Sequence, residues 1–363
     1  NNRSTLSYSN GVMAYNPANH SLFVVGHPHE EQIAEFSIPN IVNSTDLNAL
    51  EVSNFALQNF TKLQDNPVFD TGIETKFKIN GLVLFNNQLY VNYMGNVLNP
   101  EHPPTTAVYN DAGQLAYSEI SGPLSLDQGY PSSGWLSEIP EYWQAKLNAT
   151  HIAGSPRNTG SGKKNQGPSA FLFNLGQELP SESSEVSTTK VLFSSFDTPL
   201  AENHLVHEAS STLEWIYNKD KLNELWTVTS NAVYGAIIPG TSTYLTVGYS
   251  SGHYSAIGDG ITQSDGTQCT GQCAYHANDE YGYIWLWDVN HFLGVIKGEM
   301  AAEQLRPYYY GKLTTPLGHN ITGATFDPES LTLYVSLAGA DTTPTYSRPP
   351  LVLAYQISAN QPL

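Results

Sequence analysis

Gly323-Ala-Thr-Phe326-Asp-Pro328, followed by Leu333-Tyr334-Val335, is the clearest copy of a phrase that occurs four times in this chain. The phrase is a glycine, a short apolar run, a turn, and then Leu with an aromatic residue or Thr before Val. The other copies begin at Gly11, Gly81 and Gly235, and a weaker fifth begins at Gly134. Because apolar and β-branched runs flank Asn, Pro, Gly or Ser, each phrase predicts a β-hairpin. A hairpin that recurs at wide intervals indicates a repeat architecture.

A third apolar segment, and usually a fourth, follows each phrase. In the first unit these segments are residues 32–38 and 55–60. Four strands in up-and-down order form one blade of a β-propeller, so the chain is predicted to be all-β with one blade per unit. The number of units predicts five blades. The interval between Gly134 and Gly235 leaves a sixth blade open, and a compact repeat of about 50 residues leaves seven open.

The last unit has only three strands, which end with residues 351–357. The N-terminal stretch Thr5-Leu-Ser-Tyr8 is predicted to supply the fourth strand. Such pairing would close the ring and remove the exposed sheet edges that invite aggregation. Since the repeat spans nearly all of the chain, residues 1–363 are expected to form a single propeller domain.

The composition is strongly acidic, with 33 Asp and Glu against 15 Lys and Arg and a net charge of −18. This charge repels phosphate backbones, so nucleic acid is excluded as a partner. The sequence contains no apolar run of membrane-spanning length. Acidity, few lysines and the closely spaced cysteine pair favour a secreted or extracellular protein, with the periplasm as the other compartment that fits.

The two cysteines lie close together in Cys269-Thr-Gly-Gln-Cys273 and predict a local disulfide, with free thiols as the alternative. Six Asn-x-Ser/Thr sequons begin at Asn2, Asn19, Asn43, Asn59, Asn148 and Asn320. Roughly five would occur by chance in so Asn-rich a chain, so the sequons permit a glycoprotein without requiring one.

In a propeller, the loops that join the second and third strands of every blade converge on one face. The residues that follow the phrase in these loops are His27, His29, Glu30, Glu31, Tyr93, His253, Tyr254 and Asp341. A cluster of His, Tyr and carboxylates on one face supports acid–base chemistry. We assign catalytic roles to His27, His253, Tyr254 and Arg157, and substrate-binding roles to Tyr93, His29, Glu30 and Asp341. A surface histidine without a catalytic role is the alternative at each histidine.

Two loops add charge to this face. Arg157 lies in a Gly- and Ser-rich insertion with Lys163 and Lys164, where it could neutralise the carboxylate of an acidic sugar. Asp259 and Asp265 lie in a glycine-rich acidic loop whose oxygen atoms calcium could use, although the spacing is not that of an EF-hand. Calcium is therefore the one cofactor that the sequence suggests, with an acidic loop without metal as the alternative.

At the level of architecture, the chain resembles secreted β-propellers of five to seven blades that act on polysaccharides. The resemblance covers the repeat and no catalytic motif, and it implies a secreted propeller that binds or cleaves an acidic glycan. If the protein is a lyase, Tyr254 or His253 would remove a proton beside a uronate carboxylate, and Arg157 would neutralise that carboxylate. As a glycoside hydrolase, two carboxylates such as Glu30 and Asp259 would flank the glycosidic bond.

A non-catalytic extracellular structural, adhesion or filament subunit is the competing hypothesis, in which the propeller is a rigid block that self-assembles. It would place aromatic residues such as Tyr308, Tyr309 and Tyr310 at contacts between subunits. Three or more titratable groups within hydrogen-bonding reach at the central channel would favour an enzyme, whereas an apolar channel would favour the building block.

Overall fold

A computed structural model describes residues 4–53, 55–63, 77–95, 104–156, 166–176, 185–195, 198, 200, 217–268, 275–315 and 320–358. Within these residues the strands form five sheets that are arranged as the blades of a propeller. The prediction of an all-β, five-bladed propeller is therefore confirmed.

The first two blades each contain a complete four-stranded antiparallel meander. Blade 1 consists of β1 (Met13–Asn16), β2 (Ser21–Val25), β3 (Gln32–Ser37) and β4 (Ala56–Lys62). Blade 2 consists of β5 (Phe77–Phe85), β6 (Gln88–Gly95), β7 (Thr106–Tyr109) and β8 (Ile120–Leu126).

Blades 3 and 4 each carry a helix between two strands. Blade 3 consists of β9 (Leu136–Glu138), α1 (Glu141–Leu147), β10 (His151–Ala153), β11 (Ala170–Phe173) and β13 (Thr189–Leu192), while the short β12 (Glu185–Val186) pairs with β8 of blade 2. Blade 4 consists of β14 (Asn231–Ile237), β15 (Thr243–Ser251), β16 (Glu280–Asp288), α2 (Val289–Ile296) and β17 (Tyr309–Leu313). Blade 5 consists of β18 (Ile321–Asp327), β19 (Thr332–Leu337) and β20 (Leu351–Gln356).

The first strand of each blade faces the axis of the ring. Strands β1, β5, β9, β14 and β18 contact one another in that order, and β18 returns to β1. The second strands β2 and β19 are buried along their whole length, because each blade is covered by a neighbour on both faces. This burial explains why the Leu-aromatic-Val runs are continuously apolar instead of alternating.

The last blade differs from the prediction in one respect. Among the described residues its sheet has three strands, and residues 5–8 form a bend and a turn instead of the expected fourth strand. Local hydrogen bonds compete with sheet pairing here: Ser7 N donates to Thr5 Oγ1 at 3.2 Å, and Tyr8 has a positive φ of 59°. The N-terminal segment still reaches blade 5, since Tyr8 N donates to the carbonyl of Arg348 at 2.9 Å.

Candidate functional site on the upper face

We define the upper face as the end of the ring that carries the loops between the second and third strands of each blade. At the axis, the inner strands of all five blades surround a narrow cavity with room for about one water molecule. Its lining consists of Val12, Met13, Asn80, Gly81, Leu82, Trp135, Leu136, Val233, Tyr234, Gly323 and Ala324. Tyr234 is the one ionisable side chain among these residues, and burial raises its pKa. The described axial lining therefore contains no carboxylate, imidazole or amine that could supply acid–base chemistry.

The loop between β2 and β3 brings three of the expected site residues together. The backbone turns tightly, since the N–H groups of Glu30 and Glu31 both donate to the carbonyl of His27, at 3.0 and 3.1 Å. His27 Nδ1 lies 3.0 Å from Glu30 Oε2, and the rings of His27 and His29 are 5.1 Å apart. The exposed faces of this loop thus hold an imidazole that a carboxylate can orient.

One nitrogen of His27 has two competing partners. Its Nδ1 is also 3.2 Å from the backbone N–H of His29. When Nδ1 carries a proton it donates to Glu30, and when Nδ1 is bare it accepts from His29, so the choice of partner depends on which ring nitrogen carries the proton.

Glu31 has a role for which the sequence gives no signal. Its side chain is only 6% exposed, its φ is +46°, and its Oε2 accepts a hydrogen bond from the backbone N–H of Ile79 at 2.8 Å. Burial raises the pKa of Glu31 to about 7, against the opposing effects of the Ile79 N–H and the Lys78 ammonium. Glu31 therefore joins blade 1 to the inner strand of blade 2 through a carboxylate that burial makes costly to ionise.

We expect Glu31→Gln to raise the free energy of unfolding above pH 7. Because the pKa is higher in the folded than in the unfolded state, the ionised carboxylate opposes folding at alkaline pH, and this cost disappears as the pH falls from about 7 to 4.5. The expected gain is about 3 kcal/mol at pH 8 and near zero at pH 4.5. Urea unfolding at both pH values measures it, with Glu30→Gln, whose side chain is partly exposed, as the control. An equal effect of Glu31→Gln at both pH values would contradict the assignment.

His253 lies in the interior, not on the upper surface where the sequence placed it. The ring is only 3% exposed and stacks on Tyr283 with centroids 5.2 Å apart. Nδ1 lies 3.0 Å from the carbonyl oxygen of Asn223, and Nε2 lies 2.8 Å from Ser250 Oγ. Burial lowers the pKa of His253. A neutral ring with both nitrogens bonded fits a structural role and cannot touch a polymeric substrate.

Tyr254, the next residue, does reach the surface. Its side chain is 58% exposed, and its ring meets that of Tyr281 edge to face with centroids 6.3 Å apart. The Lys312 ammonium lies 4.3 Å from the centroid of Tyr254 and 3.7 Å from that of Tyr281. We call Tyr254, Tyr281 and Lys312 the upper tyrosine–lysine patch.

Asp279 fixes the backbone beneath this patch. Its carboxylate accepts from the N–H groups of Gly252 at 3.1 Å, Tyr254 at 2.8 Å and Ser255 at 3.2 Å, and from the hydroxyls of Ser255 and Tyr281. Burial alone would raise the pKa of Asp279, but these hydrogen bonds outweigh burial and lower it. The exposed ring of Tyr254 is therefore carried by a well-bonded backbone.

Two expected binding residues do not present their side chains as the sequence suggested. Tyr93 is buried in the core beside Phe77, with ring centroids 5.5 Å apart, and burial raises its pKa. Asp341 accepts from the N–H and the hydroxyl of Thr343, at 2.9 and 2.6 Å, and so orders its own loop. Neither residue is brought into contact with the His27 loop by any described interaction.

The remaining expectations concern the loop insertions. Arg157, Cys269 and Cys273 lie outside the described residues. Asp259 accepts from the Tyr275 hydroxyl at 3.0 Å, whereas Asp265 lies 3.8 Å from His276 Nε2. No group of three or more His, Cys, Asp or Glu in the described part of the chain is arranged to hold a metal ion. The calcium site at Asp259 and Asp265 stays a prediction.

Lys312 and Tyr281 are the members of the upper tyrosine–lysine patch that sequence reasoning missed. Both lie in regular strands and not in loops, and the β16–β17 register places Lys312 opposite Tyr283. The scarcity of cations is the only signal that could have directed attention to Lys312.

Comparison with known proteins finds a distant structural likeness and no sequence match. No family model matches the chain, and no curated protein matches it. A solved structure of a luciferin-regenerating enzyme aligns with 97% of this chain and 92% of its own, at 9% identity and a TM-score of 0.38. A likeness at this level carries no information on activity. Among the described residues, no helix is long and apolar enough to cross a membrane.

Proposed function

We propose that this chain is a secreted β-propeller that binds an acidic polysaccharide on its upper face, with the upper tyrosine–lysine patch as the contact. The observation that supports this proposal most strongly is the position of the Lys312 ammonium, between the exposed ring of Tyr254 and the ring of Tyr281. Aromatic rings stack on the C–H faces of sugars, and an ammonium group recognises a uronate carboxylate.

The net charge of the chain also favours the upper tyrosine–lysine patch as the binding site. With a net charge of −18, most of the surface repels an anionic polymer, so binding depends on local cations. In the described structure no carboxylate forms an ion pair with Lys312; the ion pairs found involve His27, Lys190 and His276. Within the described residues, the Lys312 ammonium is therefore not engaged in an ion pair.

Binding is favoured over cleavage by the positions of the expected catalytic groups. His253 is buried, and the described lining of the axial cavity offers no acid–base group other than a tyrosine whose pKa is raised. The His27–Glu30 pair lies on a different blade from the upper tyrosine–lysine patch. Of the expected catalytic residues in the described part of the chain, His27 and Tyr254 reach the surface, but they lie on different blades.

We expect Tyr254→Ala and Lys312→Gln each to weaken binding of polygalacturonate by about tenfold or more. Tyr346→Ala is the matched control, because Tyr346 is 94% exposed in a loop of the same face and no described cation lies over its ring. Calorimetric titration at low and high salt measures the effect, with neutral dextran as the control polymer. Unchanged affinity in Lys312→Gln, or an equal loss in Tyr346→Ala, would contradict the proposal.

The structural-subunit hypothesis is the second candidate, and two observations favour it: the described lining of the axial cavity is almost wholly apolar, and tyrosines at the outer edge of blade 4 are exposed. Tyr308 and Tyr309 are both at least half exposed there, where a neighbouring subunit could cover them. Light scattering of the purified protein separates the two candidates, since a monomer at all concentrations argues against a polymer and a concentration-dependent oligomer supports one.

A further inference from the structure

The outer edge of blade 1 is unusually apolar for a surface. Residues Ile41, Val42, Val52, Phe55 and Leu57 are large, exposed and close in sequence. Phe55 is 83% exposed, and Leu57 lies in β4, the outermost strand of its sheet. An exposed apolar edge strand is a site at which other chains can pair, so a soluble protein needs some means of covering it.

Two sequon asparagines lie inside this same stretch. Asn43 follows Val42 directly, and Asn59 lies two residues beyond Leu57 in β4. Both side chains are exposed. The residue between Leu57 and Asn59 turns inward instead: Gln58 Nε2 donates to Glu35 at 2.6 Å and to the carbonyl of Ala112 at 2.7 Å.

Other sequons are placed differently. Asn19 Nδ2 donates to the buried carboxylate of Glu35 at 3.0 Å, and Asn320 Nδ2 donates to Glu280 at 3.2 Å. These amides hold parts of the fold together, whereas no described hydrogen bond uses the side-chain amides of Asn43 and Asn59. Asn19 and Asn320 thus serve the fold, whereas Asn43 and Asn59 face solvent beside apolar surface. Asn148 also faces solvent, but it lies at the C-terminal end of α1 in blade 3, away from this stretch.

We propose that Asn43 and Asn59 carry N-linked glycans that cover the apolar edge of blade 1 and prevent its association with a second chain. In the modification, the side-chain amide nitrogen attacks the anomeric carbon of an oligosaccharide held on a lipid pyrophosphate. An N–C bond forms, the C–O bond to the pyrophosphate breaks, and the amide loses one proton. A bulky hydrophilic group on β4 blocks strand pairing at its free edge.

Peptide mapping of the protein purified from its native source tests the modification. Digestion with an endoglycosidase leaves one N-acetylglucosamine, and digestion with an amidase leaves aspartate, at each occupied asparagine. We expect both Asn43 and Asn59 to be modified and Asn19 to be unmodified. Unmodified Asn43 and Asn59 in the native protein would overturn the proposal.

Deglycosylation of the folded protein tests the role of the glycans. We expect light scattering to show self-association after glycan removal and in Asn59→Gln, and to show none in Asn59→Gln combined with Phe55→Ser and Leu57→Thr. A deglycosylated protein that stays monomeric at all concentrations would contradict the covering role. Polygalacturonate binding is measured on the same samples, so that failure here is distinguished from failure of the proposed function at Tyr254.

Discussion

Replacing Gly323 by Ala is expected to lower the free energy of unfolding by about 3 kcal/mol or more. Gly323 lies in β18, where the ring returns to blade 1, and an added Cβ would stand 1.9 Å from the carbonyl oxygen of Gly11 and 2.4 Å from its carbon. Because these are backbone atoms, no side-chain rotation relieves the overlap and the inner strands must separate. Urea unfolding followed by tryptophan fluorescence measures the loss.

Gly311→Ala is the matched control for this experiment. Gly311 lies in β17, an outer strand, and its nearest neighbour would be the Tyr309 hydroxyl at 3.2 Å, the far end of a side chain. We expect the control to change stability by less than about 0.5 kcal/mol. A Gly323→Ala protein with the unfolding midpoint of the control would show that the inner strands do not pack as closely as described.

The second large expected effect is a loss of stability at acidic pH, caused by the burial of His151. The ring is fully buried, lies edge-on to Phe85 with centroids 4.6 Å apart, and has no described hydrogen-bond partner at Nε2. Burial lowers the pKa of His151 from 6.5 to about 3. The unfolded chain therefore binds this proton below pH 6.5, while the folded chain binds it only near pH 3.

The free energy of unfolding consequently falls as the pH drops from 6.5 towards 3, by about 3 kcal/mol at pH 4.5 from this residue alone. His151→Phe keeps an aromatic ring at this buried position and removes the titrating imidazole. We expect the free energy of unfolding of this variant, relative to wild type, to rise steadily as the pH falls from 7 to 4.5. The exposed control His29→Gln should show no such trend, and a His151→Phe curve parallel to wild type would refute the assignment.

The blades were predictable because their signal is local. The Gly-apolar-turn-Leu phrase encodes a hairpin within about fifteen residues, and the continuous apolar runs in β2 and β19 reflect burial on both faces. The structure of the N-terminal segment was not predictable. Polar and apolar residues alternate along residues 5–8 as they would in a strand, but local hydrogen bonds hold this segment in a turn. Helix α2 was also missed, since its Val, Phe and Ile favour a strand until Asp288 caps it by accepting from Asn290 N at 2.9 Å.

The candidate site was predictable only where its members share a loop. His27, His29 and Glu30 are close in sequence, so their contacts follow from one turn. The burial of His253 depends on Tyr281 and Tyr283, which arrive from another strand. The approach of Lys312 to Tyr254 depends on the register of β16 with β17, which the repeat does not specify.

Hydrogen exchange with and without polygalacturonate tests the central claim, that the upper tyrosine–lysine patch binds an acidic polysaccharide. We expect the polymer to slow exchange of the backbone amides in residues 252–257 and 309–313, and to leave residues 26–31 and 344–348 unchanged. Protection confined to residues 26–31, or no protection anywhere at saturating polymer, would contradict the claim.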